Sequence, residues 1–197
     1  MNKIKSIYSL SELHDLIKKH KHKSKILVCF DIDLTIVRED ENDKDVLIEP
    51  EVTKELFNYL IENNIYFTFV TARFYDCVCN AKKRDLVKDD IKENLEALYP
   101  IFEDIGIDLT DYKNGKMGDE LVLITDEKGR TQGIMYKGIL LSGRKGPVIK
   151  HYRRIYGLEK SHPHTIFIDD VDIYLNSVKK YVPNSLVLRR KIDELDE

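Results

Sequence analysis

Two carboxylates one residue apart, Asp31 and Asp33, follow the apolar run Ile26 to Phe30 and precede a hydroxyl at Thr35. A second apolar run, Ile65 to Val70, ends in Thr71-Ala72-Arg73, and a third, Thr165 to Ile168, ends in Asp169-Asp170. Between these two, Lys145 sits among glycines ahead of a helical stretch. Acids gathered at one place repel one another unless a cation neutralises them, and carboxylate oxygens suit a hard ion such as Mg²⁺. A hydroxyl and a lysine beside them suit a phosphoryl group, and attack by an aspartate is one route for its transfer. Each piece also has a plain reading. Asp and Thr are ordinary turn residues, and Ser142 to Pro147 by itself reads better as a Gly-Pro turn with a surface lysine. Only the convergence of all four pieces points to chemistry.

The apolar runs have the composition of strands buried on both faces, and acids at their ends fall on the sheet edge where open α/β sheets bind ligands. Ser9 and Glu12 form a capping-box pattern before a helix from about Leu10 to His20. A second helix is expected from Pro50 to about Asn63, with Val52, Leu56, Leu60 and Ile61 inward. Strand, helix and strand within about 45 residues make a βαβ unit, which predicts Thr71 beside Asp31. Arg38 to Asp45 reads as a charged loop and Tyr75 to Phe102 as helical. Leu121 to Leu141 reads as a β-hairpin whose second arm runs on through Gly138 to Leu141. A helix is expected from Pro147 to about Tyr156, and Ser185 to Arg189 as an edge strand. The expected fold is α/β, with a mostly parallel sheet, helices on both faces and an added hairpin.

At 197 residues the chain fits one domain with an insertion or small appendage. Its net charge of -3 comes from interspersed acids and bases, so no nucleic-acid partner is expected. The segment Lys18 to Lys23 reads as the solvated end of the first helix. Three cysteines, Cys29, Cys77 and Cys79, do not make a disulfide framework, and a reducing, cytoplasmic compartment is expected. No apolar run approaches the roughly 20 residues of a membrane span.

In order along the chain, these motifs resemble those of the haloacid dehalogenase (HAD) superfamily. Asp31, Asp33 and Thr35 match its DxDx[TV] motif, Thr71 its second, Lys145 its third and Asp169-Asp170 its acidic pair. The resemblance covers Lys25 to about Arg189 and implies a Rossmann-like HAD core at 25–190. An N-terminal helix at 1–24 would pack on that core, a helical and hairpin insertion would lie at about 75–137, and 191–197 would be a polar tail. It implies a nucleophile at Asp31, an acid/base at Asp33 and Mg²⁺ held by Asp31, Asp33 (through its backbone carbonyl) and Asp169, with support from Asp170. Thr71 and Lys145 would contact phosphate, with Ile32 and Ala72 as further phosphate-binding positions. Arg73 and Leu34 would face the substrate. An acid two residues after the nucleophile favours a phosphatase within the superfamily. Leu34 departs from the small or polar residue common there.

No folded cap fits between Ile36 and Asn64, and much of Phe74 to Arg144 is needed for a core helix and the hairpin. A small or absent cap leaves the site open, which resembles family members acting on macromolecules. The expected partner is therefore a phosphorylated substrate, a protein ahead of a small metabolite, with phosphotyrosine fitting a pocket lined by Arg73, Phe74 and Tyr75. The plain reading of those three is the capped start of a helix. The N-terminal helix and motif spacing also resemble a bacterial HAD group of intracellular pathogens, which implies an effector delivered into a host cell. The competing functions are a small-metabolite phosphatase, a catalytically silent binding module and a nucleic-acid 3′-phosphatase. The chain could also belong to a longer parent with a further C-terminal domain.

Overall fold

The computed structural model describes residues 4–73, 91, 95, 98–107 and 121–192. Expectations placed on Phe74, Tyr75, Cys77, Cys79 and most of the stretch from Tyr75 to Phe102 lie outside them, as does the tail beyond 192.

The strands are β1 (Lys5–Ile7), β2 (Ile26–Phe30), β3 (Val37–Glu39), β4 (Asp45–Leu47), β5 (Tyr66–Thr71), β6 (Val122–Thr125), β7 (Thr131–Tyr136), β8 (Ile139–Leu141), β9 (His164–Asp169) and β10 (Ser185–Arg190). The helices of the described residues are α1 (Leu10–Lys18), α2 (Pro50–Glu62), α3 (Tyr99–Asp104), α4 (Lys145–Ile155), α5 (Leu158–Ser161) and α6 (Asp172–Tyr181). Eight strands form one sheet in the order β1-β10-β9-β2-β5-β8-β7-β6, parallel from β1 to β8 and antiparallel at β8-β7 and β7-β6.

Alternation along β2 explains the two layers. Val28 and Phe30 join a core with residues of α1, α2 and α3, whereas Leu27 and Cys29 join a second core with residues of α4, α5 and α6. All five residues of β2 are buried, as expected for a strand covered on both faces. In the first core Phe30 packs on Phe57 with ring centroids 4.9 Å apart, and Phe69 on Phe102 at 4.7 Å.

Several expectations are corrected by the pairing. β10 is not an edge strand, because β1 pairs with it in parallel. The charged segment Arg38 to Asp45 is no loop: β3 and β4 pair antiparallel around a turn in which the Asp40 carboxylate accepts from the N–H groups of Asn42 and Lys44. The second arm of the later hairpin does not run straight on. Lys137 and Gly138, both at positive φ, turn it back so that β7 pairs with β8. Ile61 is exposed on α2, and Thr53 and Phe57 are buried instead. α4 starts two residues earlier than expected, at Lys145.

α4 and α6 meet closely at Gly146. A Cβ added there would lie 2.4 Å from the backbone carbonyl oxygen of Ser177, closer than a Cβ approaches any atom, so backbone must shift. Gly146→Ala is expected to cost about 1–3 kcal/mol of stability by prising the helices apart. Denaturant unfolding would measure it, and a loss within about 0.5 kcal/mol would show that the helices separate freely.

Candidate functional site

β2 lies between β5 and β9, so the chain leaves it on one side and returns on the other. Such a reversal opens a crevice at the carboxyl ends of the strands. The Asp31 N–H continues the ladder by donating to the Ile168 carbonyl at 2.9 Å. Asp31, at the end of β2, and Asp169, at the end of β9, therefore face one another, and α4 brings Lys145 up between them.

The Lys145 ammonium is 2.6 Å from Asp31 Oδ1 and 2.7 Å from Asp169 Oδ2, and all three side chains are buried. It also stands 4.3 Å from the centre of the Tyr174 ring. Two amides orient the acids: Ile32 N–H donates to Asp31 Oδ1 at 2.8 Å, and Val171 N–H to Asp169 Oδ1 at 2.8 Å. One oxygen each of Asp31, Asp169 and Asp170 lies within 4.8 Å of the other two.

Three carboxylates here face one ammonium. Burial pushes the Asp31 carboxyl up to about 8, against the pull of Lys145, and Asp169 adds to the rise. Burial likewise raises Asp169, to about 6, and raises Asp170. Burial alone would lower the Lys145 ammonium, but Asp31 and Asp169 outweigh it and hold it ionised. The donor set is all oxygen and short of positive charge, which is what a hard divalent cation requires.

These shifts fix a pH dependence. An acid whose folded pKa exceeds its unfolded value contributes stability below the unfolded pKa and loses it as pH rises through the folded one. Without a cation, that contribution is complete near pH 4, then lost through about 6 for Asp169 and about 8 for Asp31. The rise in Tm on adding Mg²⁺ is therefore expected to grow between about pH 5 and pH 8, because the ion competes with fewer protons. Melting curves with Mg²⁺ and with EDTA measure it; an increment that stays flat would mean that Lys145 already balances the site.

The other expected residues form a second group. Thr71 ends β5, which pairs in parallel with β2 as expected, and its hydroxyl donates to Asp33 Oδ2 at 3.2 Å. The same hydroxyl accepts from Arg73 N–H at 3.0 Å. The Arg73 guanidinium contacts Asp33 Oδ1 and grips both oxygens of Asp45 on β4, each at 2.7 Å. The Asp33 side chain thus lies outside the three-acid cluster, paired with Arg73. The Ile32 amide is engaged by Asp31, Ala72 is partly exposed, and the buried Thr35 hydroxyl has no hydrogen-bond partner among the described residues. Asp172 pairs with Arg189 at the start of α6.

Leu34 is about half exposed and adopts a left-handed backbone, φ 53°. That conformation costs roughly 1–2 kcal/mol for a residue with a Cβ.

Sequence reasoning missed Asp45, which looked like one more charge in a charged segment. It also missed Tyr174; no spacing pattern marks the ring beneath Lys145. The plain reading of Lys145 as a surface lysine is overturned by its burial.

No protein-family model, no curated protein and no solved structure matches the chain. Among the described residues no helix is long and apolar enough to cross a membrane.

Proposed function

We propose that the chain is a Mg²⁺-dependent phosphomonoester hydrolase with a Rossmann-like core of the HAD type, working through an aspartyl-phosphate at Asp31. The observation that carries this reading is the Lys145 ammonium bridging Asp31 and Asp169, with Asp170 beside them, at the carboxyl edge of a parallel sheet. Asp31, Asp169 and the backbone carbonyl of Asp33 would hold the ion, with Asp170 supporting it. When bound, the cation offsets the surplus negative charge, keeps Asp31 ionised at neutral pH and draws charge from the phosphoryl oxygens.

Asp31 attacks phosphorus, forming a P–O bond as the ester oxygen leaves and takes a proton from Asp33. Asp33 then removes a proton from the water that attacks the aspartyl-phosphate, which returns Asp31 and releases inorganic phosphate. Lys145 holds the attacking carboxylate and faces the charge that develops. The segment between β2 and β5, which builds the β3–β4 hairpin and α2 and no folded cap, supports a phosphoprotein over a small metabolite.

The test is release of phosphate from aryl phosphates and phosphopeptides with Mg²⁺ and with EDTA. Release that requires Mg²⁺ supports the reading; its absence across the panel ends it.

Arg73 acts in this scheme as a positioning residue for Asp33, and Asp45 anchors Arg73. Arg73→Met is expected to lower kcat about 10²-fold on an alkyl phosphate, whose leaving group needs a proton. The loss should be about tenfold smaller on an aryl phosphate with a good leaving group. Equal losses on both would show that Arg73 does not act through Asp33.

A further inference from the structure

We propose that Leu34, Val171 and Ile173 form an apolar rim at the mouth of the site, which receives a hydrophobic side chain of a phosphorylated polypeptide next to its phosphoryl group. The inference rests on the phosphatase reading and names the substrate class for it.

Among the described residues, six large apolar side chains are exposed: Tyr8, Leu34, Ile61, Ile155, Val171 and Ile173. Singly scattered ones are ordinary on any surface, and Tyr8, Ile61 and Ile155 are of that kind. The other three each follow an acid of the site within three residues of the chain. Leu34 follows Asp33, Val171 follows Asp170, and Ile173, the most exposed of the six at 71%, is the second residue of α6. The two loops lie against each other: carboxylate oxygens of Asp31 and Asp170 are within 4.8 Å.

Leu34 sharpens the point. Its N–H donates to the Val37 carbonyl at 2.8 Å, a bond that any residue could make. A glycine would keep that bond, relieve the left-handed backbone and remove an apolar side chain from water. About half of the leucine side chain is left in water at a backbone conformation that disfavours it, and a ligand covering that half accounts for it.

Charge selects the occupant. The rim stands beside Asp170, with Asp33 and Asp172 paired to Arg73 and Arg189, on a chain of net charge -3, which repels the extended anionic surface of a bilayer. A phosphoryl group seated inward at Lys145, with an apolar side chain of the same polypeptide across the rim, meets both halves of this surface.

Methyl-, propyl- and hexylphosphonate bound in Mg²⁺, followed by calorimetry, test the rim without turnover. In the wild-type protein affinity is expected to rise about twofold per methylene, roughly half the effect of full burial. In Leu34→Ser/Ile173→Ser, both surface positions, the gradient should flatten. A flat wild-type series with methylphosphonate still binding overturns the rim and leaves the phosphoryl site standing. No binding by methylphosphonate overturns both. A phosphopeptide with leucines beside the phosphoresidue should be turned over about tenfold faster, in kcat/KM, than one with serines there. Equal rates, or faster release from vesicles containing phosphatidic acid, overturn the polypeptide assignment.

Discussion

Asp31→Asn is expected to reduce phosphate release by roughly 10⁴-fold or more, because the amide is a poor nucleophile and, among the described residues, no other carboxylate is placed to take its role. Asp169 is the nearest alternative, and Lys145 and the Val171 amide hold it. Asp33 is paired to Arg73 and Thr71. The fold should survive, since Asn keeps the shape of Asp and its carbonyl oxygen can still accept from Ile32 N–H. Removing one of three crowded acids should also weaken Mg²⁺ binding and the Mg²⁺-dependent rise in Tm. Assays on an aryl phosphate, with circular dichroism as the control for folding, measure the effect. A folded variant that keeps a tenth of the wild-type rate would rule out covalent catalysis at Asp31.

Lys145→Met should act on the fold itself. The methionine fills a similar volume but leaves Asp31 and Asp169 buried with no counter-charge, a defect that costs about 3–5 kcal/mol when one partner of a buried pair is removed. The acids answer by binding protons, so the loss should be largest at alkaline pH without Mg²⁺ and smallest near pH 5. Denaturant unfolding in EDTA at several pH values measures it. Adding Asp169→Asn to Lys145→Met should recover part of the loss, because one of the two stranded charges is gone. A loss under about 1 kcal/mol at neutral pH would mean that water reaches the acids and the site is not dry. Turnover is lost in either case, since the phosphoryl oxygens have no ammonium to meet.

The elements that carry the acids were legible in the sequence for a clear reason. β2, β5 and β9 are largely buried on both faces, so they are written as mostly apolar runs, and a polar or charged residue at the end of such a run marks the sheet edge. Lys145 was legible as a residue type but not as a buried one, because burial of an ammonium depends on partners 24 and 114 positions away that no local pattern reveals. The β3–β4 hairpin was hidden by its own charge: a short exposed ribbon buries little and need not look like a strand. Its Asp45 therefore could not be tied to Arg73. The turn at Lys137 and Gly138 was hidden by the apolar residues flanking it, which read as one strand when the single glycine is taken as part of it. The ion pair between Arg73 and Asp33 was beyond reach, because side-chain pairing across two loops leaves no periodicity.

The parallel pairing of β1 with β10 sets the order in which the sheet can be completed. It joins Lys5 to Leu188, and Lys191 N–H and the Arg190 guanidinium then fasten onto the carbonyls of Ile7 and Tyr8. β1 has no partner until β10, the strand of the sheet farthest from it along the chain, is made, so this seam has the greatest loop-closure cost in the sheet. Until it closes, Leu186, Val187 and Leu188 lie on an open strand edge that can pair with another copy of itself. Removing β1 should therefore show itself first as aggregation during refolding, before any change at the acids.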